Sequence, residues 1–183
     1  MSISLPTNNL LATPRALFDI IRLEAGPSAL PATKNVLIAS LAAYGVAEAA
    51  NQMPSRDILP SIVYGALSTG LLVGVVYLVL LLVKTRDRFM QTLIAIAAIG
   101  AVVAFVSAAL QVLVGVVFPP PLPTTKLVGF VLFPLVLWKA TLYMWIFRHG
   151  GLRFIPSLCV SAALVGFTLF ILAPLVARIF SFL

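Results

Sequence analysis

The chain has 183 residues, of which 62% are hydrophobic and 9% charged, with a mean hydropathy of +1.15. These values lie outside the range of soluble globular proteins and indicate an integral membrane protein. A net charge of +7 would suggest nucleic-acid binding in a soluble chain. The basic residues here lie in short segments between long apolar runs, so they predict membrane topology and no nucleic-acid partner.

Residues 1–34 are predicted to form a polar leader and a short amphipathic helix at the membrane surface. Thr13-Pro14 supplies an N-cap and a first-turn proline, and the helix is expected to run from Arg15 to Glu24. Its apolar and charged residues lie on opposite faces, as in interfacial helices. A helix docked on the protein's own spans would show the same pattern, and both interpretations stay open.

Residues 35–183 are predicted to form an all-α bundle of five transmembrane helices. The apolar runs are close to or above the roughly 20 residues that cross a bilayer core of about 30 Å. The first run is rich in alanine and contains Glu48, whereas the second is free of charge. A run of prolines over 119–123 predicts an extended connection between the third and fourth spans. The expected spans are 35–53, 58–83, 89–118, 127–147 and 154–177.

Small residues at helical spacing predict where helices pack closely. Gly70 and Gly74 form a G-x-x-x-G motif in the second span, and Ala97 and Ala101 begin a stripe of alanines in the third. Small side chains let two helix backbones approach each other in a membrane. These four residues are therefore the candidate helix-packing positions.

The distribution of basic residues predicts the orientation of the chain. Eight arginines and lysines lie in the N-terminal segment and in the turns after the second and fourth spans, whereas three lie in the segments on the other side. The positive-inside rule then places the N-terminus in the cytoplasm and the C-terminus on the other side of the membrane. If the first span were only peripheral, the N-terminus would move outside with Arg15, Arg22 and Lys34, so five spans are favoured.

Lys139 lies in the interior of the fourth span, where an unpaired charge costs roughly 2.5 to 3.5 kcal/mol on insertion scales. It lies roughly 14 Å from the cytoplasmic end of its helix, and Glu48 roughly 21 Å from the start of the first span, at 1.5 Å per residue. Because side chains lean toward the N-terminus of their helix, the two groups point toward a common depth. We therefore predict a Glu48–Lys139 pair, with Tyr44, Tyr64 or Gln111 supplying hydrogen bonds. The alternative is that Lys139 snorkels and Glu48 reaches the outer interface.

Other patterns argue against chemistry in the membrane. The single histidine, His149, excludes a two-histidine metal site within one chain, and no hydrolase, metalloprotease or nucleotide-binding motif occurs. Tyr143 and Trp145 are placed like interfacial aromatic anchors, and Pro134 and Pro174 are expected to disturb the helices that contain them.

The sequence contains a Pro-Arg opening of the first helix (Thr13-Pro14-Arg15-Ala16-Leu17-Phe18), a Phe-x-Gln segment (Phe89-Met90-Gln91), a Leu-Trp pair (Leu137-Trp138) and a basic turn (Arg148 to Arg153). Together these four segments resemble bacterial members of the Yip domain family. The resemblance covers most of the chain from Pro14 to Pro174. It implies a non-enzymatic polytopic protein whose eukaryotic relatives associate with small GTPases and membrane traffic, and it carries over no functional residue.

We therefore expect a non-enzymatic scaffold or interaction protein of Yip-like type in the bacterial inner membrane, without a cofactor. Its expected partners are the lipid bilayer and other membrane proteins or a second copy, including a larger complex of which it is an accessory subunit. The alternative is a small transporter that uses Glu48 and Lys139. A polar cavity that reaches Lys139 from one side would favour transport, whereas a dry bundle with an exposed stripe of small residues would favour association.

Overall fold

The computed structural model describes residues 9–118 and 124–181, and within these ranges all regular structure is helical and no strand occurs. The start of the leader and the predicted proline connection over 119–123 lie outside the described residues. Short 3-10 turns precede α2, α3 and α4, at Pro27–Ala29, Met53–Ser55 and Arg86–Arg88. The helices are α1 Asn9–Ile21, α2 Lys34–Gln52, α3 Ile58–Leu82, α4 Phe89–Val117, α5 Thr124–His149, α6 Phe154–Phe167 and α7 Ala173–Phe180.

Four helices in the described part of the chain are long and apolar enough to cross a membrane. The last of them is the continuous segment formed by α6, a π-helical turn at Thr168–Leu172, and α7. Helix α2 does not meet the same criterion, because polar residues such as Glu48 lower its hydropathy. The chain is therefore an all-helical membrane protein. The four helices are Ile58–Leu82, Phe89–Val117, Lys126–His149 and Phe154–Phe180.

The N-terminal helix differs from its prediction at both ends. It begins at Asn9, several residues before the predicted N-cap, because a proline inside a helix removes one hydrogen bond without requiring the helix to begin there. It ends at Ile21, and Leu23 turns the chain with a left-handed backbone at φ 64°. Ile20 is fully buried in the core of the bundle, whereas Phe18 is 54% exposed. Helix α1 therefore docks on the end of the bundle through one side.

Helix α4 lies at the centre of the bundle, where it contacts α1, α2, α3 and α5. Its small residues are what allow so many neighbours, since Ala97 and Ala101 are both buried. A Cβ at Gly100 would lie 2.6 Å from the Tyr44 ring and closer still to the Tyr143 hydroxyl. The predicted alanine stripe thus lies inside the bundle, and Gly100 provides space for two aromatic rings.

Helices α2 and α3 cross at a different glycine pair from the one expected. A Cβ at Gly65 would lie 3.0 Å from the Cβ of Ala49 and closer still to the carbonyl oxygen of Gly45. In contrast, Gly70 and Gly74 are exposed and have no atom within 4 Å of a Cβ built on them. The prediction that Gly70 and Gly74 pack helices is wrong for contacts within this chain, because that face of α3 points away from the bundle.

The basic turns and the N-terminal segment lie at the same end of the bundle. Thr85 donates a hydrogen bond to the carbonyl of Gly150, which joins the turn after α3 to the turn after α5. The indole Nε1 of Trp145 donates to the carbonyl of Ala25, which joins the segment between α1 and α2 to the same end. Helix α2 therefore runs from this end, called the basic end below, to the opposite end, where α3 begins.

Candidate functional site

Glu48 and Lys139 form an ion pair inside the bundle. The Lys139 Nζ lies 2.5 Å from the Glu48 Oε1, and the two side chains are 14% and 4% exposed. It is the one ion pair in the described part of the chain. An ammonium and a carboxylate at this separation neutralise each other, so the interior carries no net charge at this point.

The pair joins two helices that are held together mainly by a third. Helices α2 and α5 each pack on α4, and both have far more extensive contacts with it than with each other. The long lysine side chain therefore bridges the space beside the small residues of α4, of which Ala104 lines the same cavity as the pair. A bulkier α4 would leave no route for Lys139 to reach Glu48.

Two aromatic rings flank the ammonium group. The Nζ of Lys139 lies 5.7 Å from the ring centroid of Tyr44 and 5.8 Å from that of Tyr143. Both distances are within the range of cation–π attraction. Tyr143 is only 1% exposed, so the prediction that it anchors the membrane interface is wrong: its position in α5 directs it toward Gly100 rather than outward. Trp145 lies close to the basic end, as the anchor prediction requires.

A small cavity of about 40 Å³ adjoins the pair, and helices α2, α3, α4, α5 and α6 all contribute to its wall. Since a buried water needs roughly 10 to 15 Å³ by this kind of measure, the cavity has room for a few waters and no larger ligand. Its polar lining consists of Glu48, Asn51, Tyr64, Ser107, Lys139 and Thr168.

Two of the predicted hydrogen-bond donors act elsewhere in the site. The Tyr64 hydroxyl donates to the carbonyl of Thr168 at 3.4 Å. That carbonyl also accepts from the backbone amide of Ala173, five residues later, because Thr168–Leu172 is a π-helical turn. Gln111 donates to the side-chain oxygen of Asn51 at 2.8 Å. Neither group hydrogen-bonds the ion pair, and together they continue the polar contacts away from the basic end.

The sequence contained a signal for some of the residues that were missed. Asn51 follows Glu48 by three positions and Ser107 precedes Gln111 by four, so each pair shares a helix face. Thr168 could not be found in this way, because it reaches the cavity only through the packing of α6 against α5 and of the π-helical turn against α3. The site as a whole can hold the bundle together and stabilise a few waters.

No protein-family model, no curated protein and no solved structure matches this chain. The resemblance to Yip-type proteins therefore rests on the sequence segments quoted above and stays a prediction.

Proposed function

We propose that the chain crosses the bacterial inner membrane five times, with its N-terminus in the cytoplasm and its C-terminus outside. The span in addition to the four long apolar helices is α2, the first in chain order. Its 19 residues extend about 28 Å at 1.5 Å per residue, close to the thickness of the bilayer core. Its buried polar residues, Ser40, Tyr44 and Glu48, face the bundle, while Ile38 and Val46 are exposed and suit lipid. The basic end then lies in the cytoplasm, as the positive-inside rule requires.

Within this topology, we propose a non-enzymatic scaffold or interaction protein of Yip-like type that associates laterally with membrane proteins, including its own copies. The observation that carries the proposal is the saturated ion pair. Glu48 and Lys139 neutralise each other beside a cavity too small for a substrate, so the one buried charge pair described here serves packing. The exposed Gly70 and Gly74 leave a surface on α3 that a second helix can approach closely.

The test is affinity purification from native membranes, with a second copy carrying a different tag. We expect Gly70→Leu with Gly74→Leu to remove co-purifying proteins, including the second copy, because the added side chains separate the helices. The matched control is Gly115→Leu with Gly129→Leu. Both glycines are exposed, and like Gly70 and Gly74 they have no atom within 4 Å of an added Cβ. If both double variants retain the same partners as the wild type, association through α3 is wrong.

The second candidate function is transport through Glu48 and Lys139, and the polar lining of the cavity beside them favours it. This function requires water to reach the pair from one side. With Cys159→Ser as background, Ser107→Cys would then react with a membrane-impermeant thiol reagent, because Ser107 lines the cavity. Ser161→Cys, which is buried but does not line this cavity, is the control. Equal protection of both positions would argue against transport.

A further inference from the structure

A second cavity lies at the basic end of the bundle and belongs to neither function proposed above. Its volume is about 170 Å³, more than ten times the roughly 10 to 15 Å³ that one buried water needs by the same kind of measure. It lies between the 3-10 turn before α2, the first turn of α4 and the end of α5. The cavity is lined by Pro27, Ser28, Arg88, Gln91, Thr92 and His149, none of which is acidic.

Thr92 lines this cavity and has a buried hydroxyl without a hydrogen-bond partner among the described residues. The residue is fully buried, and its hydroxyl has no hydrogen-bond partner anywhere in the described part of the chain. Buried side-chain polar groups are nearly always paired. A threonine in a helix commonly donates to the carbonyl one turn earlier, and Thr92 does not do so. Among the residues that line the cavity, Thr92 thus carries a buried polar group that lacks a partner within the residues that the structure describes.

The remaining lining favours a negatively charged group. Arg88 donates one hydrogen bond from Nη1 to the carbonyl of His149 at 2.8 Å, which positions its guanidinium at the cavity wall. A guanidinium has five N–H donors and matches the geometry of phosphate oxygens. Arg88 also precedes α4, a helix of 29 residues without a side-chain cap at its N-terminus. The exposed amides and the dipole of such a terminus attract anions.

The imidazole of His149 completes the wall. Its Nδ1 lies 2.9 Å from the carbonyl of Trp145, four residues earlier in the same helix. Because a carbonyl only accepts, Nδ1 carries the proton, and the second ring nitrogen of the neutral imidazole accepts a hydrogen bond, for example from a ligand hydroxyl. The ring also packs against Gly26, where a Cβ would lie 2.9 Å from the imidazole Cδ2. The segment before α2 thus holds the imidazole in place.

We propose that this cavity binds a phosphate group, either the headgroup phosphate of an anionic phospholipid or free phosphate. Arg88 pairs with the phosphate oxygens, while Gln91, Thr92 and Ser28 hydrogen-bond them. The volume suits one phosphate group rather than a whole nucleotide or sugar ligand, for which pockets of roughly 300 Å³ or more are usual. The inference is independent of lateral association, since the cavity lining includes neither Gly70 nor Gly74 of α3.

The test uses the purified full-length protein in detergent micelles. Native mass spectrometry measures binding of phosphatidylglycerol, and a separate titration measures binding of inorganic phosphate by the shift in unfolding temperature. We expect Thr92→Val and Arg88→Gln each to weaken binding about tenfold, the size expected for a lost hydrogen bond to a charged group. Binding of the lipid alone identifies a headgroup site, and binding of inorganic phosphate identifies a site for the free ion.

Arg153→Gln is the matched control, because it removes the same charge at the same end of the bundle without altering the cavity. Thr92→Val should fold at least as well as the wild type, since its hydroxyl has no partner to lose. If Arg88→Gln fails to fold, Gln91→Leu replaces it as the second variant. The proposal is overturned if neither probe binds, or if Arg153→Gln weakens binding as much as Arg88→Gln while Thr92→Val leaves it unchanged.

Discussion

Lys139 is tolerated in an apolar helix because three side chains surround its ammonium group. Glu48 compensates its charge at 2.5 Å, and the rings of Tyr44 and Tyr143 lie beside it. Removing one member of a buried pair leaves an uncompensated charge, which costs about 3 to 5 kcal/mol, whereas replacing both by apolar residues is often nearly neutral. The pair is thus expected to show strong energetic coupling.

A double-mutant cycle measures that coupling. We expect Glu48→Met to destabilise the protein by about 3 kcal/mol, because it leaves the Lys139 ammonium buried alone. The double variant with Lys139→Met should recover most of this loss. The measurement is the free energy of unfolding in mixed micelles with increasing SDS.

Lys126→Met is the control for the lysine substitution, since Lys126 is exposed near the start of the same helix. It should change stability by less than about 0.5 kcal/mol. Additive effects of Glu48→Met and Lys139→Met would contradict the structural role of the pair.

At the scale of the helices, the fold depends on which small residues face inward. Gly65 of α3 lies against Gly45 and Ala49 of α2, so the two backbones are in near contact there. Gly70 is only five residues further along α3 but lies on the exposed side. The same substitution should therefore destabilise the protein at Gly65 but not at Gly70.

We expect Gly65→Ala to destabilise the protein by about 1 to 3 kcal/mol, the usual cost of overpacking, because its Cβ would clash with the Gly45 carbonyl. Gly70→Ala should be neutral or stabilising by up to about 1 kcal/mol, because alanine favours a helix more than glycine does. Unfolding of both variants under identical conditions tests this prediction. A loss at Gly70 equal to that at Gly65 would mean that α3 is packed differently.

At the scale of the whole molecule, the position of α2 decides the topology. Helix α2 joins the basic end to the opposite end of the bundle, and at the basic end the Trp145–Ala25 hydrogen bond connects the segment before it to α5. A peripheral α2 would separate this segment from the basic turns. The side on which Lys34 lies is therefore the measurement that distinguishes five spans from four.

Single cysteines report that side when the native thiol is removed by Cys159→Ser. We expect Lys34→Cys and Arg153→Cys to be labelled by an impermeant reagent only from the cytoplasm, and Asp57→Cys only from outside. All three positions are exposed, so each should react when the membrane is opened by detergent. Labelling of Lys34→Cys from the same side as Asp57→Cys would replace the five-span topology by one with four spans.

The sequence by itself determined the helical membrane character of the chain, because hydropathy summed over some 20 residues is insensitive to any single contact. The predicted bounds of the spans differ from the helices by only a few residues, since charged turns and prolines limit apolar runs. It also singled out Glu48 and Lys139, because a charge in an apolar helix is rare enough to demand a partner.

Only the tertiary structure decided which residues meet. Gly65, not Gly70, lies at the contact with α2, because the inward face of a nearly uniformly apolar helix depends on its rotation, which composition does not encode. Thr92 carries no sequence signal, and its significance comes from a buried hydroxyl beside Arg88. The physical reason is the same in both cases. Hydropathy is a property of consecutive residues, whereas close approach and hydrogen bonding depend on distances between helices.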